Sequence, residues 1–139
     1  RDILVALRPL RGDGGTGHPP TTAVHYPHRA TLASASWDDT IRVWDALAGV
    51  CLRVLHGHTA DVNCLALLRT GAVSAESPSV LLASGSDDYT VRVWNLALDG
   101  DCVDNIVLVG HTDFVTTVAA MPDGGLASAS QDASIRVWQ

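Results

Sequence analysis

A thirteen-residue pattern occurs three times in this chain of 139 residues, and it limits the possible folds more than any other feature. The copies occupy residues 32–44, 82–94 and 126–138, and each runs from Leu-Ala-Ser to Arg-Val-Trp. Repeated similarity at a nearly regular spacing is typical of arrays in which each repeat is one supersecondary unit. A unit of this kind buries its apolar surface against its neighbours along the chain. The sequence therefore predicts a row of similar units that stack on one another.

Each copy predicts two short strands joined by a tight turn. The second strand alternates β-branched and polar residues, as a half-buried strand requires, over 40–45, 90–95 and 134–138. The turns fall on pairs suited to a hairpin, namely Asp38-Asp39, Asp88-Tyr89 and Asp132-Ala133. Further strands are predicted as buried inner strands at 62–68 and 115–120 and as outer strands at 51–55 and 105–109. The predicted fold class is all-β, with four strands per repeat.

The charged residues agree with a fold that has few helices. All nine basic residues are Arg, and fourteen of the fifteen acidic residues are Asp. Lys and Glu are the usual residues of exposed helix faces, so amphipathic helices are not the expected building material. The 47% hydrophobic content excludes a disordered chain. A formal net charge of −6 argues against sequence-independent nucleic-acid binding, and no nucleic-acid partner is predicted.

Cysteine usage predicts neither a disulfide framework nor a metal centre. The three cysteines are an odd number and contain no C-x-x-C pair, which favours a reducing, intracellular compartment, cytoplasmic or nuclear. His25, His28, Cys51 and Cys64 match no ligand spacing for a metal. We therefore predict no metal and no cofactor. The apolar runs are too short for a membrane helix, so membrane insertion is not predicted.

Short motifs around the repeats carry a resemblance to a known family. Gly57-His58-Thr59 and Gly110-His111-Thr112 stand upstream of the second and third copies, and the first copy ends in Trp44-Asp45. With its Gly-His opening and Trp-Asp close, the chain resembles the WD40 repeat family over nearly its whole length. The resemblance implies a β-propeller of about three four-stranded antiparallel blades. Because propellers typically have four to eight blades, we interpret the chain as an incomplete segment of a larger, six- to eight-bladed ring. The missing partner would be the remainder of the same propeller in a longer chain or, less favoured, a second copy.

The repeats suggest how the chain is divided. Residues 1–16 are predicted to hold an outer strand of an adjoining blade, at 3–7, followed by a loop. Repeat 1 spans 17–56, with a degenerate start at Gly17-His18. Repeat 2 spans 57–109 and includes a loop insertion at 70–79. Repeat 3 spans 110–139 and lacks its outer strand.

A recurring set of Ser, His and Asp invites two interpretations. On sequence alone, such a set suggests a hydrolase. The WD40 resemblance implies instead a structural hydrogen-bond tetrad in which the Trp indole donates to Ser, Ser to His, and His to Asp. The tetrads would be Trp94, Ser84, His58 and Asp88, then Trp138, Ser128, His111 and Asp132, and partially Trp44, Ser34, Asp38 and His18. A nucleophile is needed once and this set recurs, so we favour the structural interpretation and predict no catalytic residue.

The same resemblance implies a protein-binding function. Frequent contact positions in the family correspond here to Asp61 and Phe114, just before inner strands, and to Trp37, Asp87 and Gln131, just before the turn Asp. We predict a non-catalytic interaction scaffold or adaptor that binds proteins or peptides. The alternative is a regulatory or substrate-recruiting propeller fused to a kinase or ubiquitin-pathway enzyme, and an enzyme with a channel site is least favoured. Arg42, Arg92 and Arg136 are interpreted as solvated strand-face residues.

Overall fold

The structure is a computed structural model that describes residues 31–68, 81–96 and 105–139 together with the backbone of residues 3–7. It contains eleven strands in these parts of the chain. They are β1 (Ile3–Leu7), β2 (Thr31–Ala35), β3 (Ile41–Asp45), β4 (Val50–Leu55), β5 (Val62–Leu68), β6 (Leu81–Ser86), β7 (Val91–Asn95), β8 (Asn105–Leu108), β9 (Val115–Ala120), β10 (Leu126–Ser130) and β11 (Ile135–Trp138).

The strands form three antiparallel meanders in chain order. The first sheet is β1-β2-β3-β4, the second is β5-β6-β7-β8, and the third is β9-β10-β11. The described residues include no helix, and hence none that is long and apolar enough to cross a membrane. This arrangement confirms the predicted all-β class and the predicted set of about three propeller blades. The insertion predicted at 70–79 lies outside the described residues.

The position of β1 corrects the prediction for residues 3–7. It pairs antiparallel with β2, from Ile3 opposite Ala35 to Leu7 opposite Thr31. In the other sheets β5 and β9 pair in the same way with β6 and β10. The strand is therefore the first strand of the first sheet and not an outer strand of an adjoining blade. A five-residue apolar run could form either strand. In the structure it pairs with the edge of β2 that β3 leaves free.

Each sheet has two chemically different faces because side chains alternate along a strand. In β3, Ile41 and Val43 are buried on one side, and Arg42 and Trp44 lie on the other. We call the side with Ile41 and Val43 the valine face and the side with Trp44 the tryptophan face. The register of the second sheet repeats the pattern, with Leu82 opposite Trp94.

The valine face of each sheet packs against the tryptophan face of the next. One apolar core lies between the first and second sheets, and it joins Ile41, Val43 and Leu55 to Leu82 and Trp94. A second core lies between the second and third sheets; it contains Cys64, Ala83, Val91, Val115, Val118 and Leu126, with Trp138 packed at its border. Burial of these side chains supplies the main favourable free energy that holds the sheets together.

The two outermost faces lack such a partner among the described residues. Ile135 and Val137 are 75% and 56% exposed, whereas Ile41 and Val43, at the same positions in the first sheet, are 0% and 5% exposed. The tryptophan face of the first sheet is likewise only half-buried at Trp44. The described sheets thus present an open valine face at one end of the stack and an open tryptophan face at the other.

The spacing between the second and third sheets explains why Gly85 stands where the other two repeats have Ala35 and Ala129. A Cβ atom at Gly85 would lie 2.5 Å from Val115 Cγ1 and 2.8 Å from Cys64 Sγ. Contacts this short force the sheets apart or push Val115 out of its position.

We expect Gly85→Ala to lower the free energy of unfolding by roughly 1–3 kcal/mol because it overpacks this core. Urea unfolding followed by Trp fluorescence measures the loss. The same substitution in a Val115→Ala background should cost less, because the crowded methyl group is gone. Equal losses in the two backgrounds would contradict the proposed clash.

Candidate functional site

The β2–β3, β6–β7 and β10–β11 turns and the connections between sheets meet at one end of the stack, which we call the turn end. It comprises residues 36–40, 56–61, 86–90, 109–114 and 130–134. Backbone hydrogen bonds hold its segments together. Asp87 N donates to Asp61 O (3.0 Å), and Gln131 N donates to Phe114 O (3.0 Å). Val62 N donates to Ser36 O (3.1 Å) and so joins the second sheet to the turn of the first.

A continuous hydrogen-bond tetrad links the second sheet to the turn end. Trp94 Nε1 donates to Ser84 Oγ at 2.9 Å, and Ser84 Oγ lies 2.7 Å from His58 Nε2. His58 Nδ1 lies 2.7 Å from Asp88 Oδ2. The indole can only donate and the carboxylate can only accept, so Ser84 donates to Nε2 and Nδ1–H donates to Asp88. This order satisfies every polar group of the tetrad without a charge on the imidazole.

The third sheet repeats this geometry. Trp138 Nε1 donates to Ser128 Oγ at 2.9 Å, and His111 joins Ser128 and Asp132 through contacts of 2.8 Å each. In both sheets His belongs to the connection that leads in from the sheet before it. The tetrad therefore binds an incoming segment to the sheet that it starts.

The first sheet has only part of the tetrad among the described residues. Trp44 Nε1 donates to Ser34 Oγ at 2.9 Å, and Thr40 Oγ1 donates to Asp38 Oδ1 at 2.6 Å. Arg42 Nη2 donates to Asp38 Oδ2 at 3.3 Å, at the oxygen that His occupies in the other sheets. His18 lies outside the described residues. In chain order it follows β1, whereas His58 and His111 precede the first strands of their sheets.

The burial of Ser84 and Ser128 removes the support for a hydrolase. Their relative exposures are 0% and 2%, so a substrate carbonyl has no path to either hydroxyl. Each hydroxyl also already accepts from an indole and contacts an imidazole. The arrangement fixes structure, and it offers no site at which a reacting atom could sit.

The tetrad carboxylates are held in their ionised form. Burial raises the pKa of Asp88, but hydrogen bonds from His58 and from the hydroxyl and backbone of Thr90 outweigh it, so the pKa lies well below its ordinary value. The pKa of Asp132 is lowered first by the Ser134 hydroxyl, against the opposing effect of burial, with help from Thr112 N and His111. Each carboxylate thus joins a turn to the connection beside it.

Two of the three strand arginines differ from their prediction. Arg42 is half-exposed, in line with a solvated position. Arg92 Nη1 instead donates to Asn105 Oδ1 at 3.0 Å. The guanidinium group packs over Gly57, where an added Cβ atom would lie only 2.7 Å from Arg92 Nη1. Arg136 lies in the same way over Gly110. The glycine of each Gly-His pair therefore leaves room for an arginine to cover the tetrad.

No cluster of three or more potential metal ligands occurs in the described part of the chain. Cys64 is buried between the second and third sheets, and burial raises the pKa of its thiol to about 12. Cys51 is exposed on β4. His25 and His28 lie outside the described residues.

All five predicted contact residues lie at the turn end. Trp37 is 59% exposed and Phe114 36%, while Gln131 is exposed and Asp61 and Asp87 are half-buried. The turn end also exposes Tyr89, which sequence reasoning treated only as a turn residue. Its ring is tilted against that of Phe114, with centroids 5.9 Å apart. The available signal was an aromatic residue at a turn position that holds Asp39 and Ala133 in the other repeats.

We expect His58→Ala and His111→Ala each to lower the free energy of unfolding by roughly 1–3 kcal/mol, because buried Ser and Asp partners lose a hydrogen bond. His56→Ala removes an exposed histidine two residues away and serves as the control. Thermal and urea unfolding of the three variants measure the difference. Unchanged stability in the two tetrad variants would count against the network.

Acidification should destabilise the fold through Asp88 and Asp132. Their pKa values are lowered in the folded state, so the unfolded chain binds protons first as the pH falls. The stabilisation is complete above the ordinary Asp pKa of about 4 and is lost progressively below it. Urea unfolding between about pH 6 and pH 2.5 measures this loss, which should be smaller in Asp88→Asn than in the charge control Asp39→Asn. Equal pH dependence in both variants would contradict the assignment.

Comparison with known proteins identifies the repeats. The family described as WD domain, G-beta repeat matches residues 13–45, 49–95 and 100–139. WD repeat-containing protein pop2 of Schizosaccharomyces pombe is 35% identical over 135 residues, which cover 81% of this chain and 19% of that protein. The Ribosome biogenesis protein WDR12 homolog of Nematostella vectensis is 36% identical over 127 residues, 88% of this chain and 28% of that protein.

A third relative is named as a subunit of a complex. Target of rapamycin complex subunit wat1 of Schizosaccharomyces pombe is 31% identical over 119 residues, 84% of this chain and 35% of that protein. The chain thus spans between about a fifth and a third of the length of these relatives. The three matched segments, the meander sheets and the recurring tetrads lead to one conclusion: the chain belongs to the WD40 repeat family.

Proposed function

We propose that this chain is a non-catalytic protein-binding platform and that partners bind at its turn end. The observation that carries the proposal is the contrast within that end. The tetrads engage and bury the Ser and His side chains, whereas Trp37, Tyr89 and Phe114 expose aromatic surface. Aromatic side chains are over-represented among residues that anchor protein interfaces.

The names of the relatives support a role in assemblies. One relative is named as a subunit of a complex, and another is named for ribosome biogenesis. The buried serines give no support to a catalytic role for the Ser-His-Asp sets. We therefore place the protein in an intracellular multiprotein complex, where its own contribution is binding.

The open faces support a second part of the proposal, the completion of a ring. Each internal valine face is covered by the next tryptophan face, so the exposed Ile135 and Val137 call for a further sheet of the same kind. At the other end of the stack, the half-buried Trp44 lies on a tryptophan face that no described sheet covers. We propose that further blades of the same propeller cover both faces, since exposed apolar rows of this kind mark interaction surfaces.

Substitutions at the two ends of the sheets test the platform. We expect Phe114→Ala and Gln131→Ala in the intact protein to reduce the recovery of its native partners in quantitative affinity purification. The matched control is Leu47→Ala, because Leu47 is 78% exposed in the β3–β4 turn at the end of the stack opposite the turn end. This variant should retain the native partners. The melting temperature of Phe114→Ala should be nearly unchanged, because its ring is already partly in solvent. Equal losses in all three variants, or a large loss of stability at Phe114, would contradict the proposal.

A further inference from the structure

The backbone of Tyr89 is unusual for an aromatic residue. Its φ angle is +69°, in the left-handed region, and the equivalent Asp39 and Ala133 have φ angles of +67° and +63°. All three repeats thus demand a conformation that glycine adopts without strain and that bulky residues seldom adopt. Burial does not compensate, since Tyr89 is 43% exposed. A strained residue at an exposed turn points to a function for its side chain.

The ring of Tyr89 lies at the boundary between two sheets. Tyr89 belongs to the β6–β7 turn of the second sheet, and its neighbour Phe114 immediately precedes β9, the first strand of the third sheet. The planes of the rings are tilted by 35°, so the pair offers an open aromatic surface and not a closed stack. Both residues are fixed through their backbones, because Tyr89 N donates to Ser86 O at 3.2 Å and Phe114 O accepts from Gln131 N.

Two carboxylates lie close in sequence to this aromatic pair. Asp87 lies two residues before Tyr89, and the Asn63 amide donates both to Asp87 Oδ1 and to Val115 O (3.1 Å). Asp113 Oδ1 accepts from Phe114 N at 2.8 Å. Within the described residues no hydrogen bond reaches Oδ2 of Asp87 or Asp113. These oxygens remain available to a donor from outside the chain.

The turn end is acidic on balance, although the guanidinium groups of Arg42, Arg92 and Arg136 reach it from the strands. Its five segments contain seven Asp and no Arg. The members are Asp38, Asp39, Asp61, Asp87, Asp88, Asp113 and Asp132. Such a surface attracts a cationic partner and repels phosphates or an acidic peptide.

We propose that Tyr89 and Phe114 form a seat for an arginine side chain of a partner protein, with Asp87 and Asp113 as acceptors at its edge. A guanidinium is planar, so its face can lie on an aromatic ring while its N–H groups donate in the plane to carboxylates. A lysine ammonium is a compact, strongly hydrated charge that cannot do both in the same way. The inference rests on the proposed platform and names the chemistry of its partner.

A peptide titration on the intact protein tests the seat. The probe is a fluorescein-labelled hexapeptide of alternating Arg and Ser, with versions that carry Lys, Gln or Leu in place of Arg. Fluorescence anisotropy should show the Arg peptide binding more tightly than the other three. We expect Tyr89→Gly and Phe114→Ala each to weaken its binding about five- to tenfold, the range for an aromatic ring facing a partly desolvated cation.

The matched control is Ala133→Gly, which relaxes the same turn position in the third sheet and removes no ring. It should bind the Arg peptide as the unmodified protein does. Tyr89→Gly should melt at or above the temperature of the unmodified protein, because glycine accepts this φ angle. Weaker binding together with undiminished stability is a result that a packing role for Tyr89 would not produce.

Three results would overturn the proposal. Arg and Lys peptides that bind equally would show general attraction to acidic groups, and a tighter Leu peptide would show apolar docking. Unchanged binding in Tyr89→Gly would exclude the aromatic seat. If the seat fails while Phe114→Ala and Gln131→Ala still lose native partners and Leu47→Ala does not, the platform stands with another partner chemistry. If those two variants also keep their partners, the platform itself is wrong.

Discussion

The structure depends above all on the hydrogen bonds that join a connection to the sheet it enters. In the second sheet, His58 arrives from β4 and lies between Ser84 and Asp88. The same imidazole sits edge-on to Trp94, which is only 1% exposed and lies in the core shared with the first sheet. An indole N–H without an acceptor in such a core would cost the free energy of a lost hydrogen bond. The tetrad therefore allows a large aromatic residue to lie between the sheets and, at the same time, fixes the path of the chain.

The direction of the stack follows from this arrangement. Because Trp and Ser share one face, the opposite face is left to small and β-branched residues such as Ala33 and Ile41. The two faces are complementary, so the contact between the first and second sheets recurs between the second and third. Because each contact joins two unlike faces, a stack of such sheets leaves one face uncovered on its first sheet and one on its last. The exposure of Ile135 in the last sheet is the consequence.

Much of this fold could be predicted from the sequence, because the informative residues recur at fixed positions. The strands β5 and β9 fall on the predicted residues, and β3, β7 and β11 begin one residue later than predicted. The place of β1 could not be obtained, because a short apolar run does not encode which edge it pairs with. The cover that Arg92 provides over Gly57 was also missed, since alternation along a strand gives the direction of a side chain but not where a long one ends.

The candidate site divides in the same way, and the division is itself informative. Positions that carry hydrogen bonds of the fold are the same in all three repeats at Ser and Asp, because one geometry must be met three times. The positions beside them differ: Trp37, Asp87 and Gln131 precede the turn Asp, and Asp39, Tyr89 and Ala133 share the left-handed backbone. Since the backbone hydrogen bonds of the turns do not depend on these side chains, each repeat can present a different one. The sequence thus shows where variation is tolerated, while the contact between Tyr89 and Phe114 comes only from the packing of one sheet on the next. A platform built in this way places its specificity at the boundaries between sheets, where residues distant in sequence meet on a rigid frame.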